Sequence, residues 1–325
     1  MKLLIVGAGR MGLRHLRGLA TRRSRIDVVD PRPEANAAIG ETLADLGPAA
    51  SAEVIHHPDL RSALDGSGRH DAAVLATTAA ERGTLFAALA AAGIPRVLVE
   101  KPLEQSRQAA RDLAKTAKRH GIMVHCNLYR RTLPAYAGLP GRGPFTITVS
   151  SGAMGLGCNG IHWIDFARML SGGAAGRLVH GEVQEVPIAS GRGAQFRDYG
   201  GHGVFAFEDG SRLFLSVRAD SNAPTAFGIL GPRVQWVVDQ HQDQAAVHER
   251  DPASTKPAYL YGQDYATRTV NGGEAVDFPA LTLAWLNAAL GEGSTLLPTM
   301  EEALPAHELL FDLLELTGER RFPIT

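Results

Sequence analysis

Lys2-Leu3-Leu4-Ile5-Val6-Gly7-Ala8-Gly9-Arg10-Met11-Gly12 decides the reading of this chain. A short apolar run passes into Gly-x-Gly-x-x-Gly and then into a helical pattern, the strand–turn–helix setting of a dinucleotide fingerprint. Each glycine has its own task. Gly7 permits a tight turn, Gly9 lets the backbone approach a pyrophosphate, and Gly12 lets the helix pack close to the strand. Ala8, Arg10 and Met11 complete the same phosphate-facing turn. The helix N-terminus then offers unpaired N–H groups and the positive end of a dipole.

Glycine is common here, 36 of 325 residues, so the motif needs a second feature. Ile26-Asp27-Val28-Val29 reads as the next strand and ends at Asp30, about 20 residues past the glycines, as the fingerprint requires. A carboxylate at that tip accepts hydrogen bonds from both ribose hydroxyls and repels a 2′-phosphate. The expected cofactor is therefore NAD rather than NADP. Arg32 is the competing feature, because a guanidinium two residues on can grip a 2′-phosphate.

A chain of this length implies two domains. With 33 basic and 34 acidic residues there is no basic field for nucleic acid and no acidic tail. Arg22-Arg23-Ser24-Arg25 reads as a helix end, where cations suit the dipole. Two cysteines, Cys126 and Cys158, make neither a disulfide framework nor a C-x-x-C motif. No apolar run approaches a membrane span. The N-terminus begins a strand at once and has no signal-peptide layout, so the expected location is cytoplasmic.

Strand and helix patterns alternate as far as residue 126. Candidate strands are Lys2–Val6, Ile26–Val29, Glu53–His56, Ala72–Ala76, Val97–Val99 and Met123–Cys126, with helical stretches such as Arg82–Ala92 and Ser106–His120 between them. This predicts a doubly wound parallel sheet, an N-terminal Rossmann domain over 1–126, with its ligand beyond the carboxyl ends of the strands. After about residue 143 one helix, Ile161–Leu170, is followed by many strand-like runs. Val204–Phe207, Arg212–Val217, Phe227–Leu230 and Val234–Val238 are examples, and Glu208-Asp209-Gly210-Ser211 reads as a hairpin turn. This predicts a second, α+β domain over 127–325 with a large open-faced, mostly antiparallel sheet. Helices near Phe278–Leu290 and Thr299–Leu316 close the chain. An apolar sheet face needs a cover, so a homodimer or homotetramer is expected.

Two constellations carry chemistry. Val99-Glu100-Lys101-Pro102 closes the fifth strand at the sheet's carboxyl edge. A lysine there, in a partly dry pocket, can exchange protons with a hydroxyl or carbonyl. Pro102 biases Lys101 away from α geometry, which suits a positioned side chain. The second is Gly155-Leu156-Gly157-Cys158-Asn159-Gly160-Ile161-His162-Trp163-Ile164-Asp165. His162 and Asp165 are three apart and share one helical face, and the imidazole can shuttle a proton or hold the reacting oxygen. Tyr129-Arg130-Arg131 follows the sixth strand, and an arginine there can grip a carboxylate or phosphate bidentately. His15, His125 and His202 have no partners at metal-ligand spacing, so no catalytic zinc is expected.

Taken in order, the chain resembles the glucose–fructose oxidoreductase and inositol dehydrogenase family (Gfo/Idh/MocA). The resemblance rests on Gly7 to Gly12 with His15, on Ala76-Thr77-Thr78, on Glu100-Lys101-Pro102, on Gly160-x-His162-x-x-Asp165 and on Leu297-Pro298 before a last helix. It implies a Rossmann domain followed by an open-faced α/β domain, and NAD(P)-dependent oxidation or reduction of sugars, polyols or their relatives. It makes Lys101 and His162 a catalytic pair. It sets Thr77 and Thr78 beside the cofactor, Glu100 on the ribose side of the nicotinamide, and Asn127 near cofactor or substrate. The chain departs from the family at Cys158, where many members carry an Asp four residues before the histidine. Asn159 is the neighbour able to take part of that role. The segments around Asn127 and Cys158 also resemble the branch found with bacterial surface-sugar biosynthesis. An arginine of Tyr129-Arg130-Arg131 that grips an anion points to a nucleotide-linked or acidic sugar, with Tyr129, Arg131, Cys158, Asn159, His162 and Lys101 as its candidate contacts; the alternative is a pair of solvated arginines. Two other readings stay open: an enzyme using tightly bound NAD for transient oxidation, of glycosidase or epimerase type, and a non-catalytic NAD-binding sensor or partner subunit.

Overall fold

Gly12 explains why the first strand and helix lie so close. A Cβ on Gly12 would sit 1.8 Å from the carbonyl oxygen of Gly7, and Gly7 itself has φ +99°. In the computed structural model, β1 (Lys2–Val6) therefore turns sharply into α1 (Arg10–Leu19). The structure describes residues 1–65, 68–139, 141–239, 244–271 and 276–325. The chain then builds β2 (Arg25–Val29), α2 (Ala35–Leu46), β3 (Glu53–His57), α3 (Leu60–Asp65), β4 (Ala72–Leu75), α4 (Arg82–Ala91), β5 (Arg96–Val99), α5 (Arg107–His120) and β6 (Met123–Cys126). The six strands form one parallel sheet in the order β3-β2-β1-β4-β5-β6. Apolar strands such as Leu3–Val6 and Ala72–Leu75 are buried along their whole length, as a sheet covered on both faces requires. Asp27 is the polar exception in β2. His57 and His70 donate to its carboxylate at 3.1 and 2.9 Å, and Lys2 Nζ lies 3.4 Å away. Burial opposes its ionisation, but these hydrogen bonds and the charges of Arg25 and Lys2 outweigh it and hold the carboxyl at about 2.

The second unit begins with β7 (Thr146–Ser151) and α6 (Ile161–Leu170). It continues through β8 (Gly176–Val183), β9 (Ile188–Ala189), β10 (Arg197–Asp198), β11 (Gly201–Phe207), β12 (Arg212–Val217), β13 (Ala226–Leu230), β14 (Val234–Asp239), β15 (Gln244–Arg250) and β16 (Tyr265–Asn271). Eight of these strands make one sheet, β16-β15-β14-β13-β7-β12-β11-β8. Every neighbouring pair is antiparallel except β7 and β12. The Glu208–Ser211 turn joins β11 to β12 as a hairpin, with Gly210 at φ +95°. Alternation sorts the faces. The row Leu213, Ile147, Ile229, Trp236 and Val247 is buried, whereas the next row exposes Phe214, Thr148 and Val237.

The chain closes with α7 (Phe278–Ala289) and α8 (Met300–Leu314). Contacts divide it into Met1–Leu128 with Val276–Leu304 and Thr325, and Tyr129–Ala275 with Pro305–Ile324. The sequence-based boundary of 1–126 and 127–325 differs from this at residues 127–128, 276–304 and 325, the helix α7 segment being the large difference. The reason is packing. Trp285, Leu286, Ala289 and Leu297 complete the core that Leu3, Ile5, Leu16, Leu19 and Val28 begin. Helical periodicity marks an apolar face without naming the sheet that covers it. Among the described residues no helix is long and apolar enough to cross a membrane.

Two glycines test this packing in opposite directions. A Cβ on Gly18 of α1 would lie 2.3 Å from the Pro279 carbonyl oxygen of α7, whereas one on Gly40 of α2 would meet nothing within 4 Å. Gly18→Ala is expected to destabilise by about 1–3 kcal/mol and Gly40→Ala to stabilise by about 0.5–1 kcal/mol. Urea unfolding of both variants checks this, and equal effects of one sign would refute the helix contact.

Candidate functional site

In the first unit the site grows from the carboxyl ends of the strands. Helix α1 starts at Gly9 without a side-chain cap, and its first intrahelical donor is Leu13 to Gly9 O at 2.9 Å. The preceding amides are orphan donors by geometry. A Cβ on Gly9 would meet nothing within 4 Å, so the space in front of these donors is open. Asp30 follows β2 and is buried. Its Oδ2 accepts from Ala8 N at 2.7 Å, which ties the glycine turn to the second strand. Arg32 bonds the same carboxylate through Nε at 2.8 Å and Nη2 at 2.9 Å. Burial raises the Asp30 pKa, but the Arg32 side chain, two backbone amides and the Arg32 charge outweigh it and hold the carboxyl below its ordinary value.

Glu100 and Lys101 follow β5. Glu100 Oε1 accepts from His15 Nε2 at 3.0 Å and from the Asn127 side-chain amide. His15 Nδ1 meets Thr282 Oγ1 at 2.7 Å, and that hydroxyl donates its proton to Phe278 O at 2.7 Å. The hydroxyl has one hydrogen, so toward His15 it must accept. Nδ1 therefore carries a hydrogen. Desolvation opposes ionisation of Glu100, yet the hydrogen bond and charge of His15, the Asn127 amide and the Lys101 charge hold its carboxyl at about 2. An ionised carboxylate only accepts, so both ring nitrogens of His15 act as donors.

Arg82, at the start of α4, was not a sequence-based candidate. It is buried, and its guanidinium donates to the carbonyl oxygens of Thr77, Glu100 and Pro102, the Glu100 bond measuring 2.6 Å. It thus holds the ends of β4 and β5 together around Lys101. The peptide joining Lys101 to Pro102 is cis. Thr77 Oγ1 and Asn127 Oδ1 are buried and have no hydrogen-bond partner among the described residues. Buried polar atoms are normally paired, so these two, with the open space at Gly9, fit a polar ligand lying along the sheet's carboxyl edge. Thr78 stands at the next position and precedes the short helical turn that leads into α4.

In the second unit a wide π-type turn, Leu156–Gly160, feeds α6. Asp198 anchors this turn: its carboxylate accepts from Gly157 N at 2.8 Å, Cys158 N at 2.7 Å and Tyr199 N at 2.8 Å. Gly155 is required beside it, having φ +82° and a Cβ position 2.2 Å from Asp198 Oδ2. Sequence reasoning missed Asp198, a lone acid some forty residues from the turn it holds. The Asn159 amide donates to Met154 O. His162 is buried, with its ring 4.5 Å from that of Tyr129. Asp165, expected on the face of His162, takes a fork from Arg131, Nε to Oδ2 at 2.9 Å and Nη2 to Oδ1 at 2.7 Å, both residues buried. Arg130 lies 3.6 Å over the Trp163 ring. Among the described residues no group of three or more His, Cys, Asp or Glu side chains is arranged to hold a metal ion.

Residues 1–128 match the model of the GFO_IDH_MocA family, an oxidoreductase family with an NAD-binding Rossmann fold. The family resemblance drawn from the motifs is met over that stretch, and so is the dinucleotide reading of the glycine turn. No curated protein matches the chain. Solved structures match along its whole length. UDP-N-acetylglucosamine 3-dehydrogenase GnnA from Acidithiobacillus ferrooxidans is 18% identical with TM-score 0.71, covering 96% of each chain. An oxidoreductase from Agrobacterium radiobacter, in complex with NAD+, L-tartaric acid and magnesium, is 16% identical with TM-score 0.72, covering 99% of this chain and 97% of that one. The WlbA dehydrogenase from Bordetella pertussis, in complex with NADH and UDP-GlcNAcA, is 18% identical with TM-score 0.67, covering 100% and 99%. At these identities the likeness is one of fold.

The Glu100 pair makes a pH prediction. Its folded pKa lies below its ordinary value of 4.5, so its stabilisation is complete above that value and is lost as pH falls toward about 2. Glu100→Gln is expected to cost about 3 kcal/mol at pH 6, because it removes the charged acceptor of a buried hydrogen-bond network. The gap to wild type should narrow by about 1 kcal/mol at pH 3.5. Urea titrations at the two pH values measure it, and a gap independent of pH would contradict the ion pair.

Proposed function

We propose that the protein is an NAD-dependent oxidoreductase that interconverts an alcohol and a ketone on a sugar, a polyol or a nucleotide-linked sugar. One observation carries this reading. The open space at Gly9, Asp30, the unpartnered Thr77 Oγ1 and Asn127 Oδ1, and Glu100-Lys101 all gather at the carboxyl edge of one parallel sheet. That is where a doubly wound fold takes its ligand. The phosphates are assigned to the amides of Arg10, Met11 and Gly12, since the Ala8 amide is already spent on Asp30; the adenosine ribose is assigned to Asp30, and the nicotinamide end to Thr77, Thr78, Glu100 and Asn127. The nicotinamide supplies the hydride acceptor or donor when bound.

The proton on the substrate oxygen falls to Lys101 and His162 in this assignment. Arg82 fixes the backbone that presents Lys101, and Asp198 fixes the turn that presents His162. Tyr129, Cys158 and Asn159 are assigned to the substrate beside His162. Asp165 and Arg131 serve the same end through their ion pair, which anchors α6 next to the Tyr129 ring. The choice of a nucleotide-linked sugar is supported by two fold relatives, one a UDP-N-acetylglucosamine dehydrogenase and one solved with UDP-GlcNAcA. Self-association as a dimer or tetramer is assigned to the sheet face that exposes Phe214, Leu230 and Val237.

The test has two stages. Fluorescence titration should show saturable NADH binding, and a panel of sugars and UDP-sugars should then yield turnover. Lys101→Met is expected to lower kcat by roughly 10²–10⁴-fold, the range for losing a general acid or base, while the NADH Kd changes less than about twofold. Full turnover in Lys101→Met would remove the lysine from the chemistry. NADH binding without turnover on any sugar would shift the protein to a sensor.

A further inference from the structure

The Asp30 carboxylate is already full. Oδ2 accepts from Ala8 N at 2.7 Å and Arg32 Nη2 at 2.9 Å, and Oδ1 accepts from Arg32 N at 3.0 Å and Arg32 Nε at 2.8 Å. A carboxylate offers about four acceptor positions, so none is left. The residue is also only 4% exposed. Two of its four donors are backbone amides. Ala8 N belongs to the glycine turn, and Arg32 N lies in a loop pinned by His56 Nε2, 2.9 Å from Asp30 O. Those two cannot leave without rebuilding the turn. The other two come from one guanidinium on a side chain that is half exposed.

An adenosine ribose brings two O–H donors and needs two acceptors. The acceptors that can be vacated are those that Arg32 holds. We propose that Arg32 is the specificity-determining residue of the dinucleotide site, acting as an internal competitor for the Asp30 carboxylate. This rests on the dinucleotide reading proposed above. NADH must displace the guanidinium from Asp30 before its ribose hydroxyls can bind. NADPH brings a 2′-phosphate that cannot donate to a carboxylate, but it can receive the displaced fork. Arg32 thus weakens NADH and supports NADPH, and the preference between them is the balance of the two effects.

The proposal has a sign that an ordinary stacking role would reverse. Arg32→Met keeps the length of the side chain and removes the fork. A half-exposed ion pair is worth about 1.5- to 5-fold in an equilibrium constant, so the NADH Kd is expected to fall by that factor. The NADPH Kd is expected to rise about 10-fold, the scale of a lost hydrogen bond to a charged group. In an Asp30→Asn background, Arg32→Met should no longer tighten NADH. Calorimetric titration of NADH and NADPH into wild type, both single variants and the double variant reads all of this, with thermal melting as the check on folding. An NADH Kd unchanged or raised in Arg32→Met overturns the proposal. Wild-type protein that binds neither dinucleotide overturns both this inference and the cofactor reading. Wild type that binds NADH, with Arg32→Met not tightening it, defeats this inference alone.

Discussion

The hydrogen bond from His15 to Glu100 joins the first helix to the end of the fifth strand. His15 lies on α1, Glu100 after β5, Asn127 after β6 and Thr282 on α7, and all four side chains share one buried network. Its polarity leaves no slack. Thr282 donates to Phe278 O and so must accept from His15, and Glu100 must accept on the other side. The helix that opens the glycine turn is thereby set against the strand end that carries Lys101. Removing one partner leaves an uncompensated buried charge, the costliest fault a core can hold. This pair therefore works together with the Asp30 bond to the glycine turn and the Arg82 bonds around Lys101 in placing the turn and the lysine.

The parts of the fold legible in the sequence are the local ones. Strand β1, the glycine turn, α1, β2 and Asp30 declare themselves within thirty residues, because each step imposes a distinct residue type. Hairpin β11–β12 is equally plain, since Glu208-Asp209-Gly210-Ser211 supplies the positive φ its turn needs. The return of α7 to the first unit is not local. His15 and Thr282 are 267 residues apart, and the apolar residues of α7 would suit any sheet. The edge strand β16 and its neighbour β15 are rich in polar residues, so their period is faint.

The same division runs through the site. Lys101, His162 and Asp30 stand in motifs, and motifs are readable. Arg82 and Asp198 stand in none. What marks them is what they touch: three carbonyl oxygens in one case, three backbone amides in the other. Bonds from a side chain to distant backbone leave no spacing signal. Asp165 shows the complementary limit. Helical spacing set it on the face of His162, but a neighbouring arginine with the right fork claims the carboxylate in the structure.

Three arginines show how burial assigns work to one residue type. Arg82 is buried among carbonyl oxygens and cannot leave without stranding a charge and its acceptors, so it acts as a fixed pedestal for the Lys101 backbone. Arg131 is buried against Asp165 and is fixed for the same reason. Arg32 holds its partner through an equally good fork, but half of its side chain faces solvent. Solvent can take the guanidinium back, so that bond alone is exchangeable. Buried arginines thus hold the Lys101 backbone and helix α6 in place, while the pair at Asp30 stays open to exchange. Substitution at Arg32 can then free the Asp30 carboxylate without disturbing the backbone that presents Lys101.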